Sequence, residues 1–322
     1  WLKTSLSPVP CTVVAAQPQQ VGRSGEEYYH HNSQSPPLMA MLNGYGSAEF
    51  PSIVPALLAL LPELAPYIAV MAVASLFCWC AARQVWPKHN DPMSLADCLI
   101  SIVVYPLMLW GAFSGVYHLG HDVASRWEGR TPESKFCIML YVSRTVVHCF
   151  MQPFMDMSRL HLLAMTLHHV LSVVCFGTGL LTGRMHYWGC FDAMCEVSTV
   201  FLNNMCLLKS VTVDGRKLED VLPRQICVVN GLCLWLAFLV FRILLFPAWL
   251  YRWYDDVTSF PDRTWVKSNL VEQYMYPAVT AFLLLLSCFW FVKLTNGLRK
   301  VLSKSDEEKD LKATLKVNAK TE

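Results

Sequence analysis

Seven stretches of about twenty mainly apolar residues run through this chain, each long enough to cross the hydrocarbon core of a bilayer as an α-helix. They lie near Ser52–Cys80, Ala96–Leu119, Phe136–Phe154, His161–Thr182, Tyr187–Leu208, Ile226–Leu250 and Tyr274–Phe291. Backbone groups in lipid find no water to bond, so such stretches must bond internally as helices. The cleanest, AVTAFLLLLSCFWF at 278–291, has no charge. Only 16% of the chain is charged, against about 25% in an average soluble domain, and the charge collects between the runs and at the C-terminus. The fold class expected is therefore all-α: a polytopic membrane helix bundle of six or seven transmembrane helices.

Prolines mark irregularities. Pro51, Pro55, Pro62 and Pro66 crowd the first run, so a regular helix is expected only from about Pro66, and a kink is expected at Pro106. Trp110, Trp188, Trp249 and Trp253 sit near run ends, where interfacial aromatics anchor. Residues 1–50, rich in Gln, Ser, Pro and Gly, are read as a disordered segment, with a start at Met39 or Met41 expected for the native protein. Leu2–Ala16 is too polar for a signal peptide. The remaining divisions are 51–95, a first helix and loop; 96–297, the main bundle; and 298–322, a Lys-rich tail. Thirteen cysteines, nearly all inside apolar runs and none in a CxxC pair, read as small buried hydrophobes. A net charge of +2 implies no nucleic-acid partner. Placing the Lys-rich tail in the cytosol also places Lys209, Arg216, Lys217 and Arg224 there.

The middle of the chain breaks the rule that membrane helices avoid ionisable groups. Such residues face a bundle interior or a wet cavity and are functional candidates. At helical spacing, Asp192, Glu196, Thr199 and Asn203 form one polar stripe, Arg144 and His148 another, and His161, His168 and Ser172 a third. His169 points about 100° away from His168. Turned toward one interior, these faces would let Arg144 neutralise Glu196 or Asp192 and let a carboxylate orient His168 or His169. The plainer reading is structural: Arg144 with an acid locks helices, and Ser198 and Asn203 bond between them. His118, His121 and His186 are expected at the interface, and Arg242 in a partnered or snorkelling role. A di-iron oxygenase is disfavoured, because HxxH at His118 and His121 and an isolated His168–His169 pair do not make its histidine boxes. No metal and no other cofactor is expected.

The pair in TLHHVLS, followed by FDAMCEVSTVFLNN at 191–204, resembles the TLC-domain family, which includes the ceramide synthases. The run from Glu196 to Asn203 is similar to the signature of the non-synthase branch. Laid on the synthase motif from His168, the later His-Asp pair falls on Cys195 and Glu196 and the further Asp on Thr199, while Gly179, Leu180, Gly183 and His186 replace other positions. The resemblance implies an endoplasmic reticulum or related membrane, lipid partners and a helix-walled lipid tunnel. His168, His169 and Glu196 are then the candidate catalytic residues. Arg144, His148, Ser172, Asp192, Ser198, Thr199 and Asn203 are the candidate lipid-binding or polar interior. Three functions follow: binding, sensing or acyl-chain remodelling of sphingolipids or phospholipids; N-acyl transfer from acyl-CoA, with one His as base or nucleophile; or a cargo receptor of the early secretory pathway. Lys320 beside Ala319 leaves a dilysine retrieval signal incomplete.

Overall fold

Side-chain caps open several helices of this computed structural model, which describes residues 53–318 apart from 88 and 214. The expected disordered segment, the candidate start residues and Lys320 lie outside those residues. The elements are α1 (Ile53–Val85), α2 (Pro92–Leu119), α3 (Val123–Glu128), α4 (Pro132–Met151), α5 (Arg159–Thr182), α6 (His186–Ala193) and α7 (Val197–Ser210). After a two-residue β-ribbon (Thr212–Val213 with Arg216–Lys217) come α8 (Leu218–Val221), α9 (Arg224–Phe238), α10 (Leu245–Ser259) and α11 (Tyr276–Asn318). Asp91 caps α2 by accepting from Ser94 N, and Thr131 and Ser134 form a capping box on α4. Gly183, at φ 67°, closes α5 in the left-handed conformation that suits glycine.

Five of these helical stretches are long and apolar enough to cross a membrane: Pro55–Val85, Pro92–Leu119, Arg159–Thr182, Arg224–Ser259 and Val271–Arg299. The other two expected spans are helical but too polar to qualify. One is α4; the other is α6–α7, broken by a tightened turn at Met194–Glu196. The regular helix expected from Pro66 begins instead at Ile53, with Pro62 and Pro66 inside it. Transmembrane helices accommodate the lost bond by local adjustment. The outer face of α1 is bare: Leu58, Val70, Val73 and Phe77 are exposed, as lipid-facing side chains are. By contrast α4 is sheathed by α1, α2, α5 and α6, and Cys137 to Thr145 are all buried.

Contacts between connections show that the helices run back and forth between two ends. At one end Trp86 Nε1 donates to Thr212 O (3.0 Å) and Asp156 N to Asp91 (2.9 Å). At the other, Met185 N donates to Trp127 O (3.1 Å), Arg184 to Lys267 O (3.0 Å) and Lys267 to Glu128 (3.0 Å). The tryptophans read as interfacial anchors divide. Trp110 is exposed, but Trp188, Trp249 and Trp253 are buried together with Trp127, their rings 4.4–5.8 Å apart between centroids. Trp249 Nε1 donates to Trp188 O (3.2 Å). Mutual edge and stacked packing, with that hydrogen bond, replaces the membrane interface as their environment.

Candidate functional site

The polar groups of the interior sort into separate assemblies. On α2 and α4, Asp97 bonds both Arg144 Nη2 and, at 2.7 Å, His148 Nδ1; Arg144 also donates to Ser101 Oγ (3.1 Å). The sequence reading let Arg144 neutralise Glu196 or Asp192; in the structure its acidic partner is Asp97 instead. The rotation of α4 turns it toward α2, where it joins two helices through a buried ion pair. Asp192 faces α11 instead, where Thr280 Oγ1 donates to its carboxylate at 3.3 and 3.5 Å. It shares a cavity of about 20 Å³ with Tyr141, His168, Ser172 and Tyr276, room for one water. The stripe from Asp192 to Asn203 is divided by the tightened turn at Met194–Glu196, which has fewer residues per turn than the α-helix. Asn203, near Cys98 Sγ (4.0 Å), faces α2.

A larger cavity, about 480 Å³, lies between α5, α7, α9–α10 and α11. Its buried floor is His168, Glu196 and Arg242; His161 and Lys293, both exposed, form its rim, and Leu202, Leu234, Phe238 and Leu294 supply apolar wall. Two departures from regular helix deliver the floor. The tightened turn ends on Glu196, and a widened turn at Leu239–Leu244 carries Arg242. Widened turns of this kind occur frequently at functional sites. Arg242 Nε donates to Ser198 Oγ (2.7 Å) and Nη2 to Thr199 Oγ1 (3.1 Å), while Ser198 Oγ donates to Cys195 O (2.9 Å). Arg242 is thus buried and held by hydroxyls midway along Arg224–Ser259; it does not snorkel.

The histidine pair lies at this cavity. The rings of His168 and His169 are 4.9 Å apart between centroids, and His169 is 4.9 Å from His148. A line of rings therefore leads from the Asp97–His148 contact to the cavity floor. Among the described residues neither nitrogen of His169 has a partner, nor does Nδ1 of His168. Among the described residues no hydrogen bond joins Glu196 to either ring; the carboxylate that orients a histidine is Asp97, on His148. Ser172 Oγ donates back to His168 O (2.9 Å) and so serves its own helix. His118 and His121 are exposed at the α2–α3 end, against Tyr117. His186, expected at the interface, is buried instead, 3.3 Å from Ser134 Oγ, because α6 packs tightly on α4.

The structure thus gathers His168, His169, Glu196, Ser198 and Thr199 around one cavity and sets Arg144, His148, Asp192 and Asn203 behind its walls. Asp97, Tyr105 and Lys293 were missed as site residues; of the two roles expected for Arg242, partnered or snorkelling, the structure shows the first, through Ser198 and Thr199. The signal for Asp97 and Arg242 was the same as for Arg144, an ionisable group inside an apolar run.

No solved structure matches the chain. TLC domain-containing protein 4-B of Danio rerio is 25% identical over 159 residues, 48% of this chain and 56% of that protein. The chain thus spans little more than half the length of that relative. Residues 94–296, from the start of α2 to within α11, match the TLC domain family. That match takes in every helix that walls the cavity, and with it the chain belongs to the TLC-domain family.

Proposed function

We propose that this protein handles membrane lipids by holding one amphiphile at a time in the cavity between α5, α7, α9–α10 and α11. The observation that carries this reading is the composition of that cavity. An apolar wall ends on a buried floor of histidine, carboxylate and guanidinium, within a volume of about 480 Å³. Such a cavity, mostly apolar with a few convergent polar groups, is what small-molecule sites have in common. The role fits binding, sensing or remodelling in membrane lipid homeostasis, in the endoplasmic reticulum or a related endomembrane. α11 runs back to the end at which α9 begins, and on the way its Thr295 Oγ1 accepts from Trp235 Nε1 of α9 (3.0 Å). The cation-rich Lys209–Arg224 connection lies at that same end, which supports a cytosolic C-terminus.

A second reading, N-acyl transfer from acyl-CoA, is favoured by the unpartnered ring nitrogens of the His168–His169 pair beside Glu196. The missing hydrogen bond between Glu196 and either ring weighs against it. The test is lipid mass spectrometry on purified protein, wild type beside the His168→Ala/His169→Ala double variant, each incubated with labelled acyl-CoA and a long-chain base. The expected outcome is a specific lipid retained by the wild type and reduced in the variant, with no labelled amide from either. A labelled amide made by the wild type alone would establish catalysis. Wild type free of bound lipid in membranes and in detergent would end the lipid-holding reading.

A further inference from the structure

We propose that the cavity selects an amphiphile with an anionic head, and that Arg242 is the group that receives it. The inference rests on the lipid-holding reading of the cavity and specifies its ligand. Three arginines are buried among the described residues: Arg126, Arg144 and Arg242. The first two each hold a carboxylate, Arg126 that of Asp256 and Arg144 that of Asp97. Arg242 holds none. Its Nε and Nη2 go to the neutral hydroxyls of Ser198 and Thr199, and its guanidinium carbon lies 5.2 Å from the Phe238 ring centroid. Glu196 lines the same cavity without coming within hydrogen-bond distance of it.

A guanidinium largely removed from water and left without a direct ion-pair partner is costly, and two hydroxyls orient it without neutralising it. Arg242 faces a cavity rather than packed side chains, so the missing anion has space to enter. The two hydroxyls and the widened turn fix the plane of the guanidinium, while among the described residues Nη1 has no hydrogen-bond partner. A fixed guanidinium plane is the geometry that receives a carboxylate or phosphate oxygen. Lys293, which lines the same cavity, adds a second positive charge to it. Leu202, Leu234 and Phe238 beside Arg242 give the attached chain an apolar surface. The oxyanion belongs either to a fatty acid or to a phospholipid head; both present the same chemistry to Arg242.

The experiment measures binding to the full-length protein in detergent micelles, using two pairs of probes matched in chain and differing in charge. Oleate is compared with oleyl alcohol, and dioleoyl phosphatidic acid with dioleoylglycerol. The expected result is that the charged member of at least one pair binds about tenfold or more tighter, the worth of a hydrogen bond to a charged group. Which pair shows the preference tells carboxylate from phosphate. Arg242→Gln is expected to remove most of that preference while leaving affinity for the uncharged member within about twofold, and Arg242→Lys to restore part of it. Equal binding of charged and uncharged probes by the wild type would overturn the inference and leave the lipid-holding cavity standing. Binding of neither member of either pair would overturn both. A preference that survives Arg242→Gln would remove Arg242 from the role. Should Arg242→Gln fail to fold, the wild-type comparison alone decides for or against an anionic head.

Discussion

Gly115 has almost no room for a side chain. A Cβ there would lie 2.6 Å from Cys190 Sγ and 3.0 Å from Ser134 Cβ; at Gly111 one would lie 2.8 Å from Glu133 O. Gly111 and Gly115 stand four apart on α2, the spacing that lets membrane helices approach closely, and they seat α2 against α4 and α6. Gly115→Ala is therefore expected to cost about 1–3 kcal/mol by overpacking, read as a lower unfolding temperature in detergent. Cys190→Ala in that background should recover part of the loss, because the nearest clash disappears; no recovery would place the strain on Ser134 instead. The glycine pair is legible in the sequence, as are the half-buried Asp97 and the buried charges Arg144, Glu196 and Arg242. Which charge meets which is not. Helical spacing tells that Arg144 and His148 share a face, but the rotation of α4 about its axis decides whether that face meets Asp97 or Glu196. That rotation is set by close packing at Gly111 and Gly115, a long-range contact that no local pattern carries.

At the scale of the element, the two irregular turns carry the site. Hydropathy places α7 and α9–α10 correctly as helical stretches, yet it is blind to a turn wound too tightly at Glu196 or too loosely around Arg242. These are small changes in residues per turn, and they leave the apolar composition untouched. Within the stretch, the widened turn accommodates one residue more than an α-helix does. Deleting Val240, which is exposed, is expected to regularise Leu239–Leu244 into α-helix. Arg242 would then rotate away from Ser198 and Thr199. The protein should still fold, but its lipid occupancy by mass spectrometry should fall. Unchanged occupancy would mean that the widened turn does not position Arg242 for binding.

For the whole molecule, one buried cluster ties distant parts of the chain together at the end away from the tail. Arg126 donates to both carboxylate oxygens of Asp256, at 2.8 and 2.5 Å, Trp127 Nε1 donates to the same group at 3.0 Å, and Arg126 Nη1 reaches Gly120 O (3.0 Å). Four tryptophans pack around this knot. Arg126→Met would leave Asp256 buried with only the exposed Arg252, Nε 4.0 Å away, as its cation, at a cost of up to about 3–5 kcal/mol. Since the cavity proposed to hold lipid is walled by other residues, the variant should melt at a lower temperature yet retain any lipid held there in proportion to folded protein. Loss of lipid from fully folded Arg126→Met would show that the two regions are coupled.

The sheathing of α4 by its neighbours also bears on how the chain is made. Arg144 and His148 are tolerable at membrane depth only because Asp97 of α2 meets them, and α4 falls short of the apolar character that its five companions have. A ribosome delivers helices one after another, so α4 reaches the translocon with no sheath but α1 and α2. It must then enter by pairing with Asp97 of α2, already delivered, rather than partition into lipid alone. A chain stopped after residue 158 and carrying Asp97→Leu should accordingly leave α4 outside the bilayer. The same length with Asp97 intact should insert it, a difference that glycosylation mapping of the nascent chain reads directly.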